Sequence, residues 1–154
     1  MIGLDTNVLA RYIAQDEPEQ SLRATRLMER LDENNQGFVS IVALVELHWV
    51  LRRAYKVSRE GVAGVIRKLL DAKELLVQES EAVHRALRWI TDDIDFSDAL
   101  INEFDAVAGC GYTATLDARA ASLAGDEARS RRCIRARVTE RADHGLAESA
   151  SREN

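Results

Sequence analysis

Short apolar runs, each ending at an acid or a helix-capping residue and followed by a stretch with helical spacing, constrain this chain more than any other feature. Met1–Leu4 stops at Asp5, Phe38-Val39-Ser40 opens onto a helical stretch from Ile41 to Tyr55, and Tyr112–Leu116 stops at Asp117. Runs this short are buried as strands within a sheet. Leu75-Leu76-Val77 reads as a further strand or as a loop. Strands alternating with helices predict an α/β protein: a mainly parallel central sheet flanked by helices in three α/β/α layers. In such sheets the functional cleft lies at the carboxyl ends of the strands.

The helices announce themselves by their starts. Asp5-Thr6-Asn7 precedes Val8, Leu9, Tyr12 and Ile13, and Asp16-Glu17-Pro18-Glu19 puts a proline and acids in a first turn. Leu22, Leu27 and Leu31, with Met28, form the expected apolar stripe of that second helix. Ser58 opens a helix carrying Val62, Val65, Ile66, Leu69 and Leu70, and Ala82–Thr91 is helical. Ser97 is the expected N-cap of a helix whose core face is Leu100, Ile101, Phe104, Val107 and Ala108. A short helix is expected over Arg119–Leu123.

Composition changes once along the 154 residues. Residues 1–125 carry 20 acids against 14 bases, whereas residues 126–154 carry 6 against 7. The expectation is one domain over 1–125 and an Arg-rich tail over 126–154, mobile or at most marginally helical. The net charge of −5 argues against a protein that holds nucleic acid by bulk electrostatics, but not against a nuclease that works through metal ions. Two cysteines make no disulfide framework, and the longest nearly apolar run, Phe38–Leu51, is broken by Ser40, Glu46 and His48 and is too short to span a bilayer. A cytoplasmic protein without a membrane segment is expected.

Four acids stand where acids are costly or conspicuous. Asp5 and Asp117 follow strands, Asp98 falls in a first helical turn, and Glu46 interrupts the apolar stretch Ile41–Leu51. Taken singly, Asp5 reads as a cap, Asp98 as a dipole partner, Asp117 as a turn residue and Glu46 as the mate of a core arginine. Taken jointly, a parallel sheet would bring them to one edge, where they repel unless a divalent cation lies among them. An all-oxygen set selects Mg²⁺ or Mn²⁺ over zinc.

At these residues the chain closely resembles the PIN-domain ribonucleases of the VapC toxin type, from bacterial toxin–antitoxin pairs. The matching stretches are Asp5-Thr6-Asn7-Val8-Leu9, Phe38-Val39-Ser40 with Leu44-Val45-Glu46-Leu47 and Trp49–Arg52, Asp95–Ile101, and Gly109-Cys110 with Thr115-Leu116-Asp117. The resemblance spans Met1–Leu123. It implies a Mg²⁺- or Mn²⁺-dependent endoribonuclease with catalytic and metal-binding Asp5, Glu46, Asp98 and Asp117, supported by Thr6, Asn7 and Thr115. It also implies a homodimer silenced by a VapB-like antitoxin, with operator DNA bound only through that antitoxin. In this assignment Asp5 and Asp98 ligate the principal metal, Glu46 orients its water, and Asp117 completes the shell or holds a second ion. His48 and His84 read as structural, Asp95 as a turn acid, and Trp49 and Trp89 as core or dimer-face residues.

Beyond Gly125 the sequence leaves the family pattern, which usually adds another apolar strand. That departure keeps open a catalytically impaired PIN-fold protein that only binds its antitoxin. A phospho-acceptor domain of the receiver kind also sets acids at strand ends, but it wants a lysine after a late strand, and the last lysine here is Lys73.

Overall fold

The computed structural model describes residues 1–90 and 94–117. Its elements run β1 (Ile2–Gly3), α1 (Thr6–Ala14), α2 (Pro18–Met28), β2 (Gly37–Val39), α3 (Ile41–Arg53), α4 (Arg59–Asp71), β3 (Leu75–Val77), α5 (Ser80–Leu87) and α6 (Phe96–Val107). The three strands form one parallel sheet in the order β1-β2-β3. Gly37 pairs with Ile2 on one side and Leu75 on the other. Leu4 N–H to Phe38 O (2.8 Å) and Gln78 N–H to Val39 O (2.9 Å) carry each ladder one step further. With six helices around this sheet the architecture is the expected α/β/α arrangement.

Local chemistry sets most helix starts. Asp5, Ser40 and Ser58 each accept a backbone N–H of the first turn of α1, α3 and α4, and Glu17 does the same for α2 with Pro18 at the first helical position. The core gathers Leu4, Leu9, Val39, Leu44, Leu47, Leu51, Val62, Ile66, Val77, Val83 and Phe96. Gly37 is required by close approach: a Cβ there would stand 2.7 to 2.9 Å from methyl groups of Leu4, Leu31 and Leu75.

Several expectations need correction. The N-cap of α6 is Asp95, not Ser97, because the Asp95 carboxylate reaches Ser97 N–H and the helix begins two residues earlier. The inner face of α6 is Phe96, Ala99, Leu100, Asn102 and Glu103, while Ile101 and Val107 are exposed. Glu103 can occupy the core because Arg85 Nε (2.7 Å) and Trp89 Nε1 (2.8 Å) both donate to its carboxylate. On α2, Leu22 is exposed and the small Ser21 and Ala24 are buried instead, where α2 packs against α1. Helix α5 spans Ser80–Leu87, so it starts and stops earlier than expected, and Leu75–Val77 is a strand.

Tyr112–Leu116 forms no strand among the described residues. The chain turns at Gly109 (φ 83°), Cys110 N–H donates to Asp105 O, and Thr113 Oγ1 donates to Asp105 Oδ2 at 2.7 Å, which folds the segment back toward α6. Leu116 is 86 % exposed. The expected helix over Arg119–Leu123, the tail over 126–154 and the boundary between them lie outside the described residues. Among the described residues, no helix is long and apolar enough to cross a membrane, and Cys110 is a free thiol.

Candidate active site

The end of β1 and the start of α1 supply the first acid. Asp5 caps α1, its Oδ1 accepting Asn7 N–H at 3.0 Å, and it lies at the surface. The next residue turns inward: Thr6 is 3 % exposed, and its hydroxyl donates to Glu46 Oε2 at 2.7 Å, with Ala43 O at 3.3 Å. A hydroxyl has one proton, so the short contact to Glu46 is the principal bond. Thr6 thus ties the residue after Asp5 on α1 to Glu46 on α3.

Glu46 itself is exposed. The sequence argument from burial therefore does not hold for it. Helix α3 reads as apolar on most faces because apolar side chains also occupy its open side: Val42 is 76 % exposed, and Trp49 is exposed beneath the Arg53 guanidinium, 4.5 Å from the ring centre. Among the described residues, no Lys or Arg forms an ion pair with Asp5 or Glu46.

Asp98 rides the first turn of α6 and is half-buried. That turn is anchored to α3 by His48, which is 1 % exposed. His48 Nε2 lies 2.6 Å from Asp95 Oδ1, off the straight N–H direction, and Nδ1 lies 3.4 Å from Ser97 Oγ. Phe96 and Trp49 pack on the imidazole at ring-centre distances of 5.6 and 5.8 Å. Burial pushes the Asp95 carboxyl up, but contact with His48, the Ser97 N–H and the nearby Arg59 charge together hold it below its ordinary value.

Asp117 is exposed and follows an irregular segment rather than a strand, with its own N–H donating to Thr115 Oγ1 at 3.1 Å. The structure therefore links Asp5, Thr6 and Glu46, and sets Asp98 on a helix braced against α3. Among the described residues, no three His, Cys, Asp or Glu side chains stand close enough together to hold one metal ion.

Sequence reasoning missed the connecting role of His48. It read His48 as structural and Asp95 as a turn acid; the structure makes them partners, and the available signal was a histidine placed inside an apolar helix stretch. It also missed Glu103, whose partners come from α5 and the turn after it.

A parallel α/β sheet with acids at the end of its first strand and on the neighbouring helices defines a class of fold with a polar strand-end site. Residues 2–125 match the PIN domain, and the chain belongs to that family. PIN domains are in general nucleases, and their nucleases generally use divalent metal ions. No curated protein is similar enough to match the chain.

Proposed function

We propose that this protein is a divalent-metal-dependent endoribonuclease that hydrolyses RNA phosphodiester bonds as the toxin of a type II toxin–antitoxin pair. The observation that carries the reading is the Thr6–Glu46 hydrogen bond, which joins the acid-bearing start of α1 to the acid-bearing face of α3. The donor chemistry fits a hard cation, since Asp5, Glu46 and Asp98 offer only oxygen. Among the described residues no three of these acids converge on one point, so an ion there would rest on at most two of them, with waters and substrate phosphate completing its shell, as is common for Mg²⁺. When bound there, Mg²⁺ or Mn²⁺ supplies Lewis-acid stabilisation of the charge that grows on the phosphoryl group.

The chain's own residues do the rest. Asp5 and Asp98 are the principal holders, with Asp117 as an outer contributor. Thr6 occupies Glu46 Oε2, which leaves Oε1 to take the proton of an attacking water. Asn7 fixes Asp5 through its N–H, and Thr115 accepts the Asp117 N–H. The proposal includes a homodimer, a VapB-like antitoxin as inhibitor, operator DNA engaged only through that antitoxin, a cytoplasmic setting, and a PIN domain over 1–125 followed by a tail over 126–154.

A second reading, a catalytically impaired PIN protein that serves only as an antitoxin-binding partner, is favoured by the absence of a three-carboxylate cluster among the described residues. Incubation of labelled RNA with the purified protein in Mg²⁺, Mn²⁺ or EDTA separates the two. EDTA-sensitive internal cleavage supports the nuclease; no cleavage with either metal supports the binding partner.

A further inference from the structure

Helix α3 is the common strut of the site: Thr6 reaches its Glu46 from one side, and the first turn of α6, which carries Asp98, meets its His48 from another. Glu46 and His48 are two residues apart on a helix, so they point to different sides, and the structure has one exposed and the other buried. His48 contacts Asp95 and Ser97, the residues on either side of Phe96, while Phe96 packs on its ring. A buried imidazole is an expensive way to fill that space, since an aliphatic side chain would pack there without desolvating polar nitrogens. What the imidazole adds is contact with the Asp95 and Ser97 side chains, which belong to the turn that carries Asp98.

We propose that His48 is a positioning residue that sets Asp98 at its working separation from Glu46, chiefly through the short Asp95 contact, with the longer Ser97 contact secondary. This inference rests on the reading of Asp5 and Asp98 as holders of the ion, with Glu46 taking the water's proton, and deepens it. Removing a partner that sits behind a ligand typically weakens metal binding by about 10- to 100-fold. A contact acting through one intervening turn belongs at the lower end of that range.

The test measures Mn²⁺ uptake directly, by paramagnetic resonance of the free ion, on wild type, His48→Leu, His48→Gln, His48→Asn and Asp98→Asn, with far-UV CD and thermal melting recorded beside it. Gln carries an amide N–H near the place of Nε2 and so keeps the reach to Asp95; Asn ends near Nδ1 and does not. The expected result is about a tenfold rise in the half-saturating Mn²⁺ concentration for His48→Leu and His48→Asn, with His48→Gln within about twofold of wild type. A purely structural histidine would move the melting temperature without this pattern in affinity. Wild-type Mn²⁺ affinity in both Leu and Asn variants overturns the proposal, and if the Leu variant does not fold, equal affinity of Gln and Asn variants overturns it. If Asp98→Asn loses Mn²⁺ while the His48 variants keep it, the metal site stands and the brace falls. If wild type takes up no Mn²⁺ that depends on Asp98, the metal-site reading itself fails and takes the brace with it.

Discussion

Replacing Glu103 with alanine is expected to destabilise the fold by about 3 kcal/mol, through loss of a buried acceptor rather than loss of apolar packing. Glu103 is 2 % exposed, and its two oxygens take Arg85 Nε at 2.7 Å and Trp89 Nε1 at 2.8 Å, which fastens α6 to α5 and to the turn after it. Removing one member of a buried ion pair costs about 3–5 kcal/mol, and loss of the indole bond to the carboxylate adds about 1.5–3. Two features reduce the sum. The Arg85 side chain is 31 % exposed, and Glu81 stands 3.8 Å from it, so water and Glu81 recover part of what is lost. The net is about 2–4 kcal/mol, or a melting-temperature drop of roughly 5–15 °C for a chain of this size. Glu103→Gln keeps one acceptor oxygen and should lose about half as much. Urea unfolding followed by far-UV CD measures the difference; tryptophan fluorescence is unsuitable because Trp89 belongs to the network. An alanine variant within about 0.5 kcal/mol of wild type would show that the Arg85–Glu103–Trp89 contacts contribute nothing net.

Other perturbations test separate parts of the account. Thr6→Val should slow RNA cleavage by about tenfold while changing stability by no more than about 1 kcal/mol, because Glu46 is exposed and stays hydrated when its donor is removed; Thr6→Ser should restore the rate. Gly37→Ala should destabilise by about 1–3 kcal/mol in urea unfolding, since three leucine methyls must move together to admit the new carbon. Tyr55→Phe should raise the Asp16 pKa toward its ordinary value of 3.8, because the Tyr55 O–H bond to Oδ2 is the largest influence lowering it, ahead of the Arg11 bond. The sign follows from the direction: a depressed folded-state pKa lends stability above the ordinary value that is lost as pH falls through the depressed one. The variant should therefore lose less stability than wild type on acidification below about pH 4, and a carboxyl NMR titration of Asp16 unchanged by the substitution would contradict this.

The parts of the fold set by neighbouring residues were legible in the sequence. Asp5, Ser40, Ser58 and Pro18 mark helix starts because capping depends on atoms within one turn. The alternation of strands and helices was legible for the same reason. Features decided across the fold were not. Glu103 interrupts the periodicity expected of an apolar face, and only Arg85 and Trp89 make its burial tolerable. Glu46 looked buried because its neighbours are apolar, yet the apolar set wraps right round α3 and so cannot say which side faces solvent; exposed Val42 and Trp49 show that it is Glu46's side. Tyr112–Leu116 has strand-forming residues, but a strand needs a ladder partner, and here Thr113 turns to Asp105 instead. The candidate site residues, Asp5, Thr6, Asn7, Glu46, Asp98, Thr115 and Asp117, were picked out from the sequence; the Thr6–Glu46 hydrogen bond and the His48 contact to the turn carrying Asp98 could not be.

The central claim is that acids presented by α1, α3 and α6 make this PIN domain a metal-dependent ribonuclease. Its most direct test compares cleavage of one labelled RNA in Mn²⁺ by wild type, Asp5→Asn, Glu46→Gln and Asp98→Asn, each with an unchanged far-UV CD spectrum. The account predicts at least a hundredfold loss of rate in every variant, about 2.7 kcal/mol of transition-state stabilisation. Wild-type rates in the three folded variants would contradict it.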